Sequence, residues 1–384
     1  MNAAATEEIS NRAPDDPALG LFGVLDEDGR VVSGAPLSVD DELLLRMYRE
    51  MKRVRLLDQR MVMLQRQGRV GFYGACTGQE AAVVGTGLAA APEDWIFPAL
   101  RENAIMLVRG FSLASYIAQV YGSSRDPLKG RQMPAHISSR SVHQVSWSSC
   151  VGTQLPQAVG AAWAARLKKD DVVTVGFLGD GATSGADFHA AMNFAAVFQV
   201  PTVLVCQNNQ WAISVPVARQ TASSTLAIKA RAYGVRSIRA DGNDVIAVHQ
   251  VLSDALAHAR GGDGPTFVEL LTYRVAPHST SDDPSRYRSS DDVEAWIRKD
   301  PLDRLVRYLT TRGLLTAEAD QRFEHQTLEE IRKAIDEVES YGPPDRASLF
   351  DDVYAELPWH LTEQRDLLEK TPRTHHRKKA EPGP

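Results

Sequence analysis

Two groups of residues in this chain have the types and spacing to hold a phosphate through a cation. Gly179-Asp180-Gly181 closes one apolar run and Asn208-Asn209 closes the next, with 26 residues between Gly181 and Asn208. If the two runs are neighbouring parallel strands, Asp180 and Asn209 stand at their carboxyl ends, where open α/β sheets bind ligands. A carboxylate and an amide oxygen are hard donors of the kind Mg²⁺ takes when it bridges to phosphates. The same glycines invite a rival reading, because G-D-G-A-T-S-G also resembles the turn of a dinucleotide-binding fold, in which phosphate rests directly on a helix N-terminus. Asp180 argues against it: a carboxylate there repels a diphosphate unless a cation lies between them. The acidic ribose ligand expected one strand later is missing, since Gln207-Asn208-Asn209 stands in its place. Gly-Asp-Gly alone is also an ordinary turn, and only its pairing with Asn-Asn points to a metal.

The elements that must position these residues follow from the hydrophobic pattern. VVTVGFL (172–178) and PTVLVCQ (201–207) read as buried parallel strands, with a helix over 181–198 between them. The rhythm continues in VRSIRADGND, a helix to about Ala259 and the strand TFVELLTYR. Such alternation predicts an α/β fold, a doubly wound parallel sheet flanked by helices. Upstream, residues 38–67 have helical spacing of Leu and Met with Ser38 as N-cap. Residues 75–91 also read helical, and DWIFPALRE as a short strand before Arg101. PQAVGAAWAARLKK reads as a helix opened by Pro156, with an Ala and Gly face that permits close approach of another helix or chain. The expected organisation is an extended arm over 1–36, an α/β domain over 37–310 with a mobile loop at 278–292, a helical region over 311–370 and a disordered tail over 371–384.

Composition removes several function classes. Lys and Arg number 43 against 49 Asp and Glu, so no broad basic surface is available and nucleic acid is not an expected partner. No stretch approaches the roughly 20 apolar residues of a bilayer span, and the opening residues lack the basic start and apolar run of a signal peptide. A soluble, cytoplasmic chain without membrane contact is expected. Cys76, Cys150 and Cys206 lack the close pairing of a zinc or redox motif.

GDG followed by NN is the pattern of thiamine-diphosphate enzymes, and the surrounding segments resemble alpha subunits of branched-chain 2-oxo acid dehydrogenases, bacterial forms especially. The likeness runs from about Leu43 to His360, and its most specific strings are DPLKGRQMPAH, TQLPQAVGAAW, NNQWAIS, RADGNDV and HSTSDDPSRYRS. It implies a thiamine-diphosphate-binding fold with thiamine diphosphate and Mg²⁺ as cofactors. Asp180, the Asn209 side chain and the Trp211 carbonyl would be the Mg²⁺ ligands. Arg101, His278 and the backbone of Gly181 and Ala182 would contact the diphosphate, with Ser149 beside the thiamine. Leu100 and Gln207 occupy contact positions where the family often has Tyr and Arg, so some diphosphate contacts are weaker or supplied differently. Ser148, Cys150, Thr153 and Gln154 match a monovalent-cation (K⁺) site, although a Ser/Thr helix cap before Pro156 would read the same way.

The resemblance also implies partners. The glutamate that activates the cofactor would come from a beta subunit in an assembly of two alpha and two beta chains, and the acyl group would pass to the lipoyl arm of an acyltransferase core. His278 is the candidate proton donor in that transfer. The expected substrate is a branched-chain 2-oxo acid such as 3-methyl-2-oxobutanoate. Pyruvate or acetoin dehydrogenase chemistry is the alternative within the family, and a non-catalytic nucleotide-binding α/β module the alternative outside it. Ser279 and Ser289 match serines phosphorylated in animal relatives.

Overall fold

The computed structural model describes residues 20–35, 37–279 and 282–372. Among the described residues there are seven strands: β1 (Trp95–Phe97), β2 (Thr174–Gly179), β3 (Thr202–Asn208), β4 (Trp211–Ala212), β5 (Val215–Pro216), β6 (Arg236–Asp241) and β7 (Thr266–Leu271). The helices that cover them begin with α1 (Asp41–Arg66), α2 (Glu80–Ala89), α3 (Ile105–Val108), α4 (Leu113–Tyr121), α5 (Gln154–Lys168), α6 (Ala186–Phe198) and α7 (Val245–Arg260). After β7 come α8 (Ser290–Ile297), α9 (Pro301–Thr311), α10 (Ala317–Ser340) and α11 (Trp359–Lys370). None of these described helices is long and apolar enough to cross a membrane.

Five strands form one parallel sheet in the order β1-β2-β3-β7-β6, while β4 and β5 make a small antiparallel hairpin. Both faces of the sheet are buried, which is why its strands are apolar throughout rather than alternating. Val203 and Val205 join the core under α1, α2, α7 and α9, whereas Leu204 and Cys206 join the core under α5 and α6. The doubly wound expectation holds. A third cluster binds the second half of α1 to α4 and α10.

Three local expectations need revision. The N-cap of the first long helix is Asp40, whose carboxylate accepts from the Leu43 amide at 2.8 Å, while Ser38 instead accepts from Gln250 at 2.8 Å. Carboxylates at Asp40, Asp41 and Glu42 complement the helix N-terminus better than a hydroxyl two residues earlier. The helix expected from Gly181 begins at Ala186, and Asp180–Ser184 forms a 3₁₀ turn instead. Residues 20–25 are packed rather than held out as an arm: Phe22 donates to the Arg239 carbonyl at 2.9 Å, and the amides of Val24 and Leu25 both donate to buried Asp244. Most of the arm and most of the tail lie outside the described residues, as do residues 280–281 of the polar loop.

Candidate active site

The carboxyl ends of β1, β2, β3 and β7 open into one cleft of about 770 Å³. The strand order reverses between β3 and β7, and such a switch point leaves a crevice at the strand tips. Every predicted contact except Cys150 and Thr153 lines it: Leu100 and Arg101 after β1, Asp180, Gly181 and Ala182 after β2, Gln207, Asn209 and Trp211 on and after β3, His278 after β7, and Ser148, Ser149 and Gln154 from the loop before α5 and its first turn.

Register explains why Asp180 and Asn209 share the crevice. Gly179 sits opposite Gln207 in the β2–β3 ladder, so the next residues of each strand leave the sheet side by side. Asn208 faces away, donating its amide to buried Glu269 at 2.7 Å, which leaves Asn209 on the cleft side. Asn209 donates to Gln79 at 3.1 Å, and its oxygen accepts the Trp211 amide at 3.3 Å. Asp180 is 2% exposed and accepts a hydrogen bond from Gln220 at 2.8 Å. Burial raises its carboxyl to about 6, against the lowering effect of the Gln220 bond. Gly181 must be glycine here: an added Cβ would lie 2.6 Å from the Ala212 Cβ on the β4–β5 hairpin that folds over the turn.

Two buried arginines also line the cleft. Arg101 is 6% exposed and donates to the carbonyls of Ala75 and His278, the latter at 3.3 Å. Arg274, which the sequence reading did not single out, is 1% exposed and donates to the Ile213 carbonyl at 2.6 Å, the Tyr287 hydroxyl at 2.8 Å and the Trp211 carbonyl at 3.4 Å. Pairing beyond the end of β7 puts it there, since its own amide donates to the Asn209 carbonyl at 3.2 Å. Among the described residues neither guanidinium has a carboxylate within ion-pair distance. Burial lowers Arg101 to about 10, with Arg274 contributing, and burial followed by both arginines lowers His278 to about 4. Two buried cations without a counter-ion call for an anion.

The chain matches the model of the dehydrogenase E1 component family over residues 48–346. It belongs to that family. It is 44% identical over 335 residues to the 3-methyl-2-oxobutanoate dehydrogenase subunit alpha of Mycobacterium tuberculosis, covering 85% of this chain and 87% of the relative. The 2-oxoisovalerate dehydrogenase subunit alpha of Pseudomonas aeruginosa is 41% identical over 369 residues, covering 94% of this chain and 90% of the relative. A mitochondrial 2-oxoisovalerate dehydrogenase subunit alpha 1 of Arabidopsis thaliana is 38% identical over 375 residues, covering 96% and 78% respectively. An E1 component depends on thiamine diphosphate.

The residues of this E1 chain fit that cofactor. Among the described residues, no cluster of three His, Cys, Asp or Glu side chains exists that could hold a metal by itself. Any cation at Asp180 would therefore draw its remaining ligands from other oxygens. Gln207 is 2% exposed with both polar atoms of its amide unpaired, and Arg274 Nε is likewise buried without a partner. Such orphaned polar atoms on residues lining the cleft point to a polar ligand that completes them.

The four residues expected to hold a monovalent cation span the loop before α5 and the first residue of that helix. Cys150 donates its amide to the Ser148 hydroxyl at 3.1 Å, and the Cys150 carbonyl accepts from the Thr153 hydroxyl at 3.1 Å. Gln154 donates to the Phe177 carbonyl at 2.7 Å and leaves its own oxygen buried and unpaired. Thr153 precedes α5 without any side-chain capping bond, unlike a Ser/Thr cap. Beyond His278, Asp282 accepts from the His278 amide at 2.7 Å and from Tyr287 at 2.5 Å, while Ser289 caps α8 through the Asp292 amide at 3.2 Å. Gln220 and Arg274 are wall residues that no motif marked, because both reach the cleft through tertiary pairing.

Proposed function

We propose that this chain is the alpha subunit of an enzyme that oxidatively decarboxylates branched-chain 2-oxo acids such as 3-methyl-2-oxobutanoate. The observation that carries the reading is that buried Asp180 shares one cleft with the buried guanidiniums of Arg101 and Arg274, neither of which has an ion-pair partner among the described residues. That arrangement matches a diphosphate held by arginines together with a divalent cation. The three relatives' names supply the substrate branch.

In this reading Asp180, Asn209 and the Trp211 carbonyl hold Mg²⁺. Arg101, Gln207, His278 and the amides of Gly181 and Ala182 hold the diphosphate, with Leu100 as an apolar wall and Ser149 beside the thiamine. Ser148, Cys150, Thr153 and Gln154 hold K⁺. When bound, the cofactor supplies the electron sink for the pair released as CO₂ leaves. His278 would give a proton during acyl transfer. Its neutrality in the protein alone is relieved by the diphosphate's charge, which raises an imidazole's pKa. A beta subunit would bring the activating glutamate, two chains of each kind would form the assembly, and a lipoyl-bearing acyltransferase core would take the acyl group. The cytoplasm is its proposed location.

The test is decarboxylation by the chain reconstituted with its beta partner, on 3-methyl-2-oxobutanoate and on pyruvate. The expected result is a higher kcat/KM on the branched substrate, and a preference for pyruvate would overturn the substrate assignment.

A further inference from the structure

DPLKGRQMPAH ends on a histidine that the functional reading leaves unused. His136 is 7% exposed, lies behind the cleft wall and stacks on Trp147 with ring centroids 3.7 Å apart and planes at 18°. Its Nε2 lies 2.9 Å from the hydroxyl of Ser149, which lines the cleft, and its Nδ1 lies 3.1 Å from the Pro134 carbonyl. A carbonyl oxygen has no proton to give, so Nδ1 carries the hydrogen of that bond. In the neutral ring Nε2 is then an acceptor, and the Ser149 O–H must donate to it.

The surrounding backbone holds this arrangement in place. Ala135, between the carbonyl and the ring, is a buried non-glycine residue at φ +60°, in the left-handed region that costs a side chain energy. Its carbonyl accepts from both Asn103 at 3.0 Å and the Trp147 indole at 2.8 Å. Ser146 donates to the His136 carbonyl at 3.2 Å. Three side chains thus secure one strained turn, whose result is that the Pro134 carbonyl and the Ser149 hydroxyl face the two nitrogens of one ring.

We propose that His136 is a positioning residue that takes the Ser149 proton and so presents the Ser149 oxygen to the cleft as an acceptor. Ser149 then selects an N–H donor, such as a ring amine of the bound cofactor, and turns its lone pairs against phosphate or a substrate carboxylate. The inference rests on the cofactor reading above and adds the polarity of one contact to it.

The test is a double-mutant cycle, measuring thiamine diphosphate affinity by calorimetry at fixed Mg²⁺ on the complex with the beta subunit. Ser149→Ala and His136→Phe, which keeps the stack on Trp147, should each weaken binding roughly tenfold, about the worth of one hydrogen bond. Combined, they should be no worse than either alone, because His136 acts through Ser149. His136→Gln, whose amide oxygen can accept the Ser149 proton, should recover most of the affinity. If His136→Phe does not fold, His136→Leu, which likewise cannot accept the Ser149 proton, takes its place in the cycle. Additive losses, or unchanged affinity in Ser149→Ala, would overturn the proposal. If the parent complex binds no thiamine diphosphate with Mg²⁺, the functional reading falls and this inference with it; if the parent binds and the cycle adds, only the role of His136 falls.

Discussion

Gln220 donates its amide to the Asp180 carboxylate at 2.8 Å and to the Val215 carbonyl at 3.1 Å, so one side chain ties the proposed metal ligand to the hairpin that covers it. Removing an outer-shell partner of a metal ligand typically costs roughly 10–100-fold in metal affinity. Gln220→Ala should therefore weaken Mg²⁺-dependent cofactor binding within that range. Asp180→Ala, which deletes the ligand itself, should cost at least about a hundredfold while the thermal unfolding midpoint stays near that of the parent. Unchanged affinity in the Asp180 variant would count against the metal assignment.

Gly181→Ala tests the covering hairpin from the other side. The new Cβ would meet Ala212 at 2.6 Å and the Gln220 oxygen at 3.2 Å, so Trp211 and Ala212 must move outward. Overpacking of this kind costs about 1–3 kcal/mol, and denaturant unfolding should register it together with weaker cofactor binding. A variant as stable and as tight-binding as the parent would show that the hairpin yields freely.

Arg274→Lys keeps the charge and loses the fork that reaches Ile213, Trp211 and Tyr287. A point-charge ammonium cannot satisfy three acceptors in those directions. Calorimetry should find cofactor affinity reduced by about tenfold or more, in line with the strength of charge-assisted bonds. Equal affinity would reduce Arg274 to a source of positive potential.

Stability should depend on pH through Asp58, outside the cleft. This carboxylate accepts from Tyr73 at 2.9 Å and from the Cys76 amide at 2.7 Å; burial, with Glu80 adding, raises it from 3.8 to about 7. The folded chain therefore keeps a proton that the unfolded chain has released between about pH 4 and pH 7. Its contribution is complete below the unfolded value and is lost as pH rises through the folded one. Asp58→Asn cannot ionise, so its melting temperature should fall less than the parent's between about pH 5 and pH 8. Identical slopes would contradict the raised value.

Much of this architecture was legible because the chemistry sits at strand ends. VVTVGFL and PTVLVCQ are apolar on both faces, so their type and direction followed from pattern, and the residues that close them had to meet at one edge. The strings around Asp180 and Asn209 then identified the cofactor class. Arg274 was not legible as a wall residue, since only ladder pairing beyond β7 brings it beside Asn209. Gln220 and His136 likewise act through contacts made by folding, 40 and 13 residues from their partners Asp180 and Ser149. Helix starts slipped where several caps compete, as between Ser38 and Asp40. The packing of Phe22 through Leu25 escaped notice because a few apolar residues among Gly, Asp and Pro carry no periodicity.

The central claim is that a cation held by Asp180 and Asn209 tethers a diphosphate that Arg101 also binds. Calorimetric titration of the alpha–beta complex with thiamine diphosphate, with Mg²⁺ and after its removal by chelation, addresses this directly. The account predicts tight binding only when the metal is present, with affinity restored on adding it back. Binding of equal strength without the metal, or no binding under either condition, would contradict it.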